Sequence, residues 1–243
     1  MKKLLFILMI LTISIMAKPR VLMVVTSHDK MGETTEKTGI WLSELTHAYL
    51  EFEKSNFDID IATIKNQPLP IDPRSIKNAD KESLEFLANG KKRDILSKTI
   101  ALKDVKVKNY DAIYLVGGHG VMWDFAEDKN LAKILLKMAK NKKVISAVCH
   151  GPAGLLSAKY KNGKSIISGI KVTGFSNSEE TAVKLTKVVP YLLEDELKKR
   201  KAIFSKAKKD FMAHVVVDKN FVTGQNPPSA KGVALEVIKL LKK

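Results

Sequence analysis

The sequence predicts an α/β protein in which a mostly parallel β-sheet is covered by helices on both faces. Short apolar runs alternate along the chain with longer amphipathic stretches, which is the pattern of successive β-α units. The runs at residues 20–26, 112–116 and 144–148 are predominantly apolar, as in strands that are buried on both faces. No linker and no repeat interrupts the pattern, so we expect residues 18–243 to form a single doubly wound domain.

The other elements follow from the same reasoning. The alternating run 57–62 predicts a second strand, and three prolines make residues 66–73 a loop. Apolar residues at helical spacing predict five helices, at 39–53, 81–96, 131–139, 179–187 and 231–241. Later β-rich runs predict a short strand at 172–175 and a hairpin of 211–217 with 221–223. In such a sheet the active site lies beyond the carboxyl ends of the strands.

Residues 1–17 have the layout of a secretory signal peptide. Lys2 and Lys3 precede an apolar run at 4–16, and Ala17 provides a small residue for cleavage. The run is too short for a comfortable bilayer span, and no apolar stretch of about 20 residues follows it. We therefore expect a mature chain of residues 18–243, periplasmic or secreted and without a stable membrane span; the alternative is an uncleaved N-terminal anchor.

Charge and cysteine content exclude several classes of protein. The formal net charge is +16, but the lysines are scattered and no aromatic residues are interleaved with them, so we expect no nucleic-acid partner. A single cysteine excludes an intramolecular disulfide and a metal site built from several thiolates. A lone thiol in an exported protein is either a small buried hydrophobe or a functional group.

The position of that cysteine favours a function. Cys149 and His150 follow the buried run 144–148 directly, and Pro152 and small residues lead into an apolar helix start. A strand, a sharp turn and a helix with a nucleophile at the apex form a nucleophile elbow. We expect the helix start to lower the pKa of the thiol.

These residues also carry a family resemblance. The segment 147–152 (AVCHGP) resembles the nucleophile motif of the ThiJ/PfpI superfamily. Further segments match its glutathione-independent glyoxalase and chaperone-like branch in order: Thr26–His28, Thr38–Trp41 with Glu44 and His47, Ile71–Ser75, Gly117–Gly120 with Trp123 and Asp124, Val172–Asn177, and Val222–Pro227. The resemblance spans roughly residues 20–240. It implies a single flavodoxin-like α/β domain.

The resemblance also implies a set of catalytic residues. The nucleophile is Cys149, its partner histidine is His150, and Glu44 is the carboxylate beside the thiol. A further carboxylate pairs with the histidine; Glu180 fits that place, with Glu179 as the alternative. Glutamates at a helix start also suit the helix dipole without any catalytic role.

Three other residues are implied as oxyanion or substrate contacts. The N–H groups of Gly118 and His150 would form an oxyanion hole. His119 would touch substrate or simply pack in its loop. Trp123 would line the pocket or belong to the core.

The activity implied by the resemblance is that of a glyoxalase III-type lyase, which converts methylglyoxal and water to lactate. The substrate would be a small reactive aldehyde, no metal or organic cofactor is implied, and a homodimer is expected from the family. The alternatives are a holdase-type chaperone and a cysteine peptidase or amidase. The insertions at 64–80 and 185–212 are expected to cover the site, which disfavours a peptide cleft.

Overall fold

The computed structural model describes residues 18–243, so the predicted signal peptide lies outside the described part of the chain. The strands in this range are Arg20–Val25 (β1), Asp58–Thr63 (β2), Ile100–Ala101 (β3), Ala112–Leu115 (β4), Val144–Val148 (β5), Lys171–Val172 (β6), Ile203–Phe204 (β7), Val215–Asp218 (β8) and Phe221–Gly224 (β9). The α-helices are Leu42–Lys54 (α1), Pro73–Lys77 (α2), Lys81–Ala88 (α3), Gly90–Ser97 (α4), Val121–Asp124 (α5), Lys129–Lys140 (α6), Asn177–Ala182 (α7), Leu193–Lys199 (α8) and Ala230–Leu241 (α9). Short 3-10 segments lie at Leu102–Asp104, Val107–Asn109, Gly151–Ser157 and Pro227–Ser229.

Seven of the strands form one sheet in the order β3-β2-β1-β4-β5-β9-β8. All neighbours in it are parallel except β8 and β9, which form an antiparallel hairpin. The central order β2-β1-β4-β5-β9 is that of a doubly wound, flavodoxin-like sheet. The prediction of a single, mostly parallel α/β domain is therefore confirmed.

Helices cover both faces of the sheet. Leu115 of β4 and Leu131 of α6 both lie next to Gly154. Val148 of β5 and Val233 of α9 both lie next to Gly224. Leu115 pairs with Ala147, the neighbour of Val148, so Leu115 and Val148 point to opposite faces. Since α6 and α9 lie on opposite faces, β4 and β5 are buried throughout, as their apolar sequences predict.

The shorter elements differ from the sequence-based expectations. The predicted helix 81–96 is two helices, because Asn89 ends α3 and its side chain caps α4. The predicted strand 172–175 is reduced to β6, which pairs with β7 outside the main sheet. No helix among residues 18–243 is both long and apolar enough to cross a bilayer.

Candidate active site

Cys149 sits on a strained turn at the carboxyl end of β5. Its φ of 58° is a left-handed conformation that is unusual for a residue with a side chain. Two backbone hydrogen bonds hold this conformation: the Cys149 N–H donates to the Gly224 carbonyl (2.9 Å), and the Cys149 carbonyl accepts from the Phe175 N–H (2.8 Å). Neighbouring segments thus fix the turn, and the structure contains the predicted elbow.

A chain of hydrogen bonds leads away from the thiol. The Cys149 Sγ lies 3.4 Å from Nδ1 of His150, and Nε2 of His150 lies 2.8 Å from Oε2 of Glu180. The other oxygen of Glu180 lies 2.9 Å from Nε2 of His119. All four side chains are buried. One carboxylate therefore serves two histidines, of which His150 faces the thiol.

The choice between Glu180 and Glu179 is resolved by the start of α7. Ser176 caps this helix, and the Glu179 side chain returns to the Ser176 N–H, so the two residues form a capping box. The same Glu179 carboxylate accepts hydrogen bonds from Phe211 and Asn226. Glu179 thus ties α7 to the segments around it, and the next residue in the helix, Glu180, contacts His150.

The protonation states in this chain follow from the partners. Burial alone raises the pKa of Glu180, but the two histidines outweigh it and bring the pKa below its usual range. Burial and the nearby His150 lower the pKa of His119 to about 4. An ionised Glu180 only accepts hydrogen bonds, so both histidines carry a proton on Nε2. Nδ1 of His150 is then an acceptor, and the Cys149 S–H donates to it.

Glu44 also lies beside the thiol. It belongs to the first turn of α1, is fully buried, and lies against Gly117, where even an added methyl group would be 2.4 Å from its Oε2. Within the described residues, neither carboxylate oxygen has a hydrogen-bond partner of ordinary geometry. Burial raises the pKa of Glu44 well above its usual value, although the Cys149 thiol and the Gly117 N–H partly offset this. Glu44 is therefore a neutral acid beside the sulfur.

The expectation that the elbow lowers the thiol pKa is wrong for the resting site. Burial raises the pKa of Cys149 well above its usual value, and an ionised Glu44 would raise it further. The Gly118 N–H acts in the opposite direction, but it does not compensate. The segment that follows Cys149 and His150 is a short 3-10 helix. Because the thiol is buried, desolvation has a larger effect on its pKa than this helix start does. Cys149 is thus a neutral thiol until a base removes its proton.

Backbone N–H groups surround the sulfur as expected. Gly118 has a φ of 103°, and its N–H is directed toward Cys149. In the described part of the chain, neither the Gly118 N–H nor the His150 N–H donates to a backbone carbonyl. A tight approach requires glycine here, because a side chain at residue 118 would collide with the backbone of Gly39 and Trp41. These two N–H groups are suited to stabilise an oxyanion formed next to the sulfur.

A cavity of about 580 Å³ leads to Cys149. Its walls combine aromatic and other apolar side chains with a polar rim and are formed by Trp41, Arg74, Lys77, Asn78, Gly118, His119, Phe175, Val183, Phe211, Pro227 and Pro228. The expected insertions contribute to it: the first supplies Arg74, Lys77 and Asn78, and the second supplies Phe211. The site is a partly open pocket to which both insertions contribute side chains.

Trp123 is not a wall of this cavity, which corrects one of the predicted roles. Its ring stacks on His28, with centroids 5.0 Å apart, and lies beside Gly32. The tryptophan in the pocket is Trp41, which precedes α1. Both tryptophans occur in matching segments of the sequence, and spacing alone does not show which of them faces the thiol.

His119, His150 and Glu180 are also the residues that could hold a metal ion, since their ligand atoms lie within 4.8 Å of one another. Each histidine, however, already directs an Nε2 proton at the carboxylate. The Arg74 guanidinium is 3.3 Å from the remaining nitrogen of His119. This arrangement is better suited to proton transfer than to a cation, and the absence of a metal requirement stays a prediction.

Sequence reasoning did not assign a role to Asp72 and Arg74. Asp72 is fully buried and accepts two hydrogen bonds from the Arg74 side chain. The Asp-Pro-Arg spacing, with Asp72 capping α2, was the available signal. Only the fold shows that the Arg74 side chain of this pair contacts His119.

The chain resembles known proteins over most of its length. The model of the DJ-1/PfpI family matches residues 36–240. The chain is 29% identical over 239 residues to a glutathione-independent glyoxalase, HSP31, of Saccharomyces cerevisiae, covering 93% of this chain and 100% of the relative.

Two solved structures extend the comparison. Rapid Encystment Protein 24 KDa (REP24) of Francisella tularensis has a TM-score of 0.88 at 44% identity, covering 92% of this chain and 99% of the other. The crystal structure of glyoxalase III from Candida albicans has a TM-score of 0.84 at 27% identity, covering 91% and 96%. By its sequence, its fold and the extent of these matches, the chain belongs to the DJ-1/PfpI family.

Proposed function

We propose that this protein is a glutathione-independent glyoxalase that converts methylglyoxal and water to lactate. The observation that carries the proposal is the position of Cys149 in the lining of a pocket, in contact with the imidazole of His150 and with Glu44, whose raised pKa favours the neutral acid. The names of the yeast and Candida relatives support it.

The first step is addition of sulfur to the aldehyde. Nδ1 of His150 takes the thiol proton as the Cys149 sulfur attacks the aldehyde carbon, and Glu180 stabilises the imidazolium that forms. The carbonyl oxygen becomes an oxyanion between the N–H groups of Gly118 and His150. The imidazolium then returns its proton to that oxygen, which gives a neutral hemithioacetal.

The second step moves a hydrogen between the two carbons of the substrate. His150, neutral again, removes the proton from the former aldehyde carbon, the electrons pass to the adjacent carbonyl, and the imidazolium gives the proton to that oxygen, which produces an enediol. His150 then accepts the hydroxyl proton of the first carbon as its carbonyl forms, and the same proton equivalent is delivered to the second carbon, which gives the lactate thioester of Cys149. Water hydrolyses this thioester, releasing lactate and restoring the thiol. Glu44 remains protonated and donates a hydrogen bond to the sulfur whenever it carries negative charge.

The test is loss of methylglyoxal by purified residues 18–243 without glutathione, with lactate quantified. We expect turnover by the wild type and none above the uncatalysed rate by Cys149→Ala, because no other thiol exists in the chain. No turnover by a folded, reduced wild type would overturn the proposal. Holdase activity that survives in Cys149→Ala would then favour the chaperone alternative.

Export and assembly are parts of the proposal that rest on the sequence. We propose that residues 1–17 are removed during secretion and that the mature chain forms a homodimer like those expected of the family. Mass spectrometry of the mature N-terminus would test the first statement. Light scattering on residues 18–243 would test the second.

A further inference from the structure

An ion pair between the buried Asp72 and the partly exposed Arg74 lies at the Nδ1 side of His119, away from Glu180. The Asp72 carboxylate accepts Nε of Arg74 at 3.0 Å and Nη2 at 2.6 Å, and the Thr38 hydroxyl donates to it at 2.9 Å. The same Nη2 lies 3.3 Å from Nδ1 of His119. Thus Asp72 fixes the guanidinium in a fork geometry and directs one of its nitrogens at the histidine.

The direction of the Arg74–His119 hydrogen bond is fixed by chemistry. A guanidinium has donors and no acceptor, and it keeps its charge at every accessible pH. Nδ1 of His119 must therefore be the acceptor, which leaves the ring proton on Nε2, facing Glu180. Protonation of Nδ1 would place two N–H groups against each other and two cations in contact.

This constraint matters because two histidines share one carboxylate. Glu180 contacts His119 through Oε1 and His150 through Oε2, and the two imidazole centroids are 4.1 Å apart. If His119 became a cation, it would neutralise Glu180 and repel an imidazolium at His150. His150 would then be a weaker base toward the Cys149 thiol.

We propose that Arg74, held by Asp72, is a positioning residue that keeps His119 neutral, so that the charge of Glu180 supports His150 alone. The charged and titratable groups that face His119 are Glu180, His150 and Arg74. Asp72 and Glu36 act on Arg74 from behind. Arg74 acts here through His119 and Glu180, separately from any contact it makes with substrate in the pocket.

The test is the pH dependence of kcat/KM for methylglyoxal in wild type and Arg74→Gln. Without the guanidinium, Nδ1 of His119 becomes free to bind a proton, and His119⁺ competes for Glu180. Burial and His150 contribute more than Arg74 to the low pKa of His119, so we expect the acid limb of the profile to move to higher pH by about 1 unit at most. Loss of a substrate contact or of packing would lower kcat/KM without moving the limb.

The matched control is His119→Gln, which offers an amide N–H to Glu180 but cannot become a cation. We expect the limb of Arg74→Gln to return to its wild-type position in the double variant Arg74→Gln, His119→Gln. Arg74→Lys, which keeps the charge, should shift the limb less than Arg74→Gln does. A limb that stays displaced in the double variant, or that never moves in Arg74→Gln, would contradict the proposal.

A second readout needs no variant at the ion pair and no catalysis. Nitrogen NMR of histidine-labelled wild type, with His119→Gln used for assignment, reports the tautomer of His119. We expect a neutral ring protonated on Nε2 throughout pH 5–8. A proton on Nδ1 or titration of the ring within that interval would overturn the inference, even if methylglyoxal is turned over. The activity test rests on the proposed function, and the NMR result does not, so failure of one is distinguishable from failure of the other.

Discussion

Two buried carboxyl groups act on the site of Cys149, Glu44 beside the thiol and Glu180 through His150, and they are in opposite states. Glu44, on the α1 side, has no hydrogen-bond partner of ordinary geometry among the described residues, and burial raises its pKa. Glu180, on the α7 side, is almost as deeply buried, yet its pKa is lowered. The difference lies in the groups around each carboxyl: two imidazole N–H donors surround Glu180, whereas Glu44 faces a glycine turn and a thiol.

The comparison shows that burial by itself does not decide the charge of a carboxyl group. Desolvation disfavours the anion at both positions. Only at Glu180 do hydrogen-bond partners compensate for the free energy of desolvation. One side of the sulfur is therefore equipped to support a base, and the other side to supply a hydrogen-bond donor. A site with two anions would repel the thiolate, and a site with two neutral acids would not activate His150.

The largest effect is expected from Glu180→Gln. An amide has one oxygen and one NH2 group, so one of the two histidines must change its tautomer, and the negative charge that stabilises the imidazolium is lost. We expect kcat/KM for methylglyoxal to fall by about 10²–10⁴-fold, the range for a misdirected general base. Retention of at least a tenth of the activity by a folded variant would show that Glu180 does not support the base.

A smaller loss is expected from Glu44→Gln. Because Glu44 is neutral, an amide of the same shape still donates a hydrogen bond to the sulfur and lacks only the exchangeable acid proton. We expect kcat/KM of Glu44→Gln to fall by about tenfold. The kcat/KM of Glu44→Leu, which has no hydrogen-bond donor, should fall further. Equal losses in the two variants would mean that hydrogen bonding to the sulfur is unimportant.

The two carboxyl groups should also give the folded protein opposite responses to pH. A raised pKa at Glu44 favours folding below the unfolded value of about 4.5, and this contribution is lost as pH rises toward the folded pKa. A lowered pKa at Glu180 stabilises the fold above about 4.5, and this contribution is lost as pH falls through the folded pKa. Relative to Glu44→Gln, wild type should therefore lose stability toward pH 8; relative to Glu180→Gln, it should lose stability toward pH 3.

Urea unfolding of the three proteins across that interval, with reductant present, measures these differences. Differences that run in the same direction for both variants would show that the two carboxyl groups are not in opposite charge states.

The smallest effect on activity is expected from Glu179→Gln. This variant tests whether the adjacent glutamates Glu179 and Glu180 have different roles. Its carboxylate belongs to the capping box of α7 and does not contact His150. Because the buried carboxylate also accepts hydrogen bonds from Phe211 and Asn226, we expect a loss of about 1.5–3 kcal/mol in the free energy of unfolding, with kcat per folded molecule within about twofold of wild type. A loss of kcat as large as that of Glu180→Gln would place Glu179 in the reaction.

The sequence was sufficient for the parts of this protein that are governed by local pattern. The buried strands β1, β4 and β5 are continuous apolar runs, and Cys149 follows one of them directly. The two-residue strands β3 and β7 carry no such pattern, because pairing with a neighbour, and not their own composition, makes them strands.

The parts that sequence did not predict depend on distance in space. Trp41 and Trp123 both occur in matching segments, and only the packing shows that Trp41 faces the pocket. The thiol pKa was expected to be low from the turn alone, whereas the direction is set by the burial of Cys149. The sequence does not predict a role for Arg74, because its contact with His119 depends on the fold.

The neutral thiol of Cys149 has a consequence for chemical labelling. Alkylating reagents such as iodoacetamide react with thiolates, and in the resting protein burial favours the protonated form of the sulfur. A survey that ranks cysteines by alkylation rate would place Cys149 among the inert ones, although it is the proposed nucleophile. Carbonyl electrophiles whose addition is assisted by His150 are the better probes, since His150 takes the thiol proton as the carbon–sulfur bond forms.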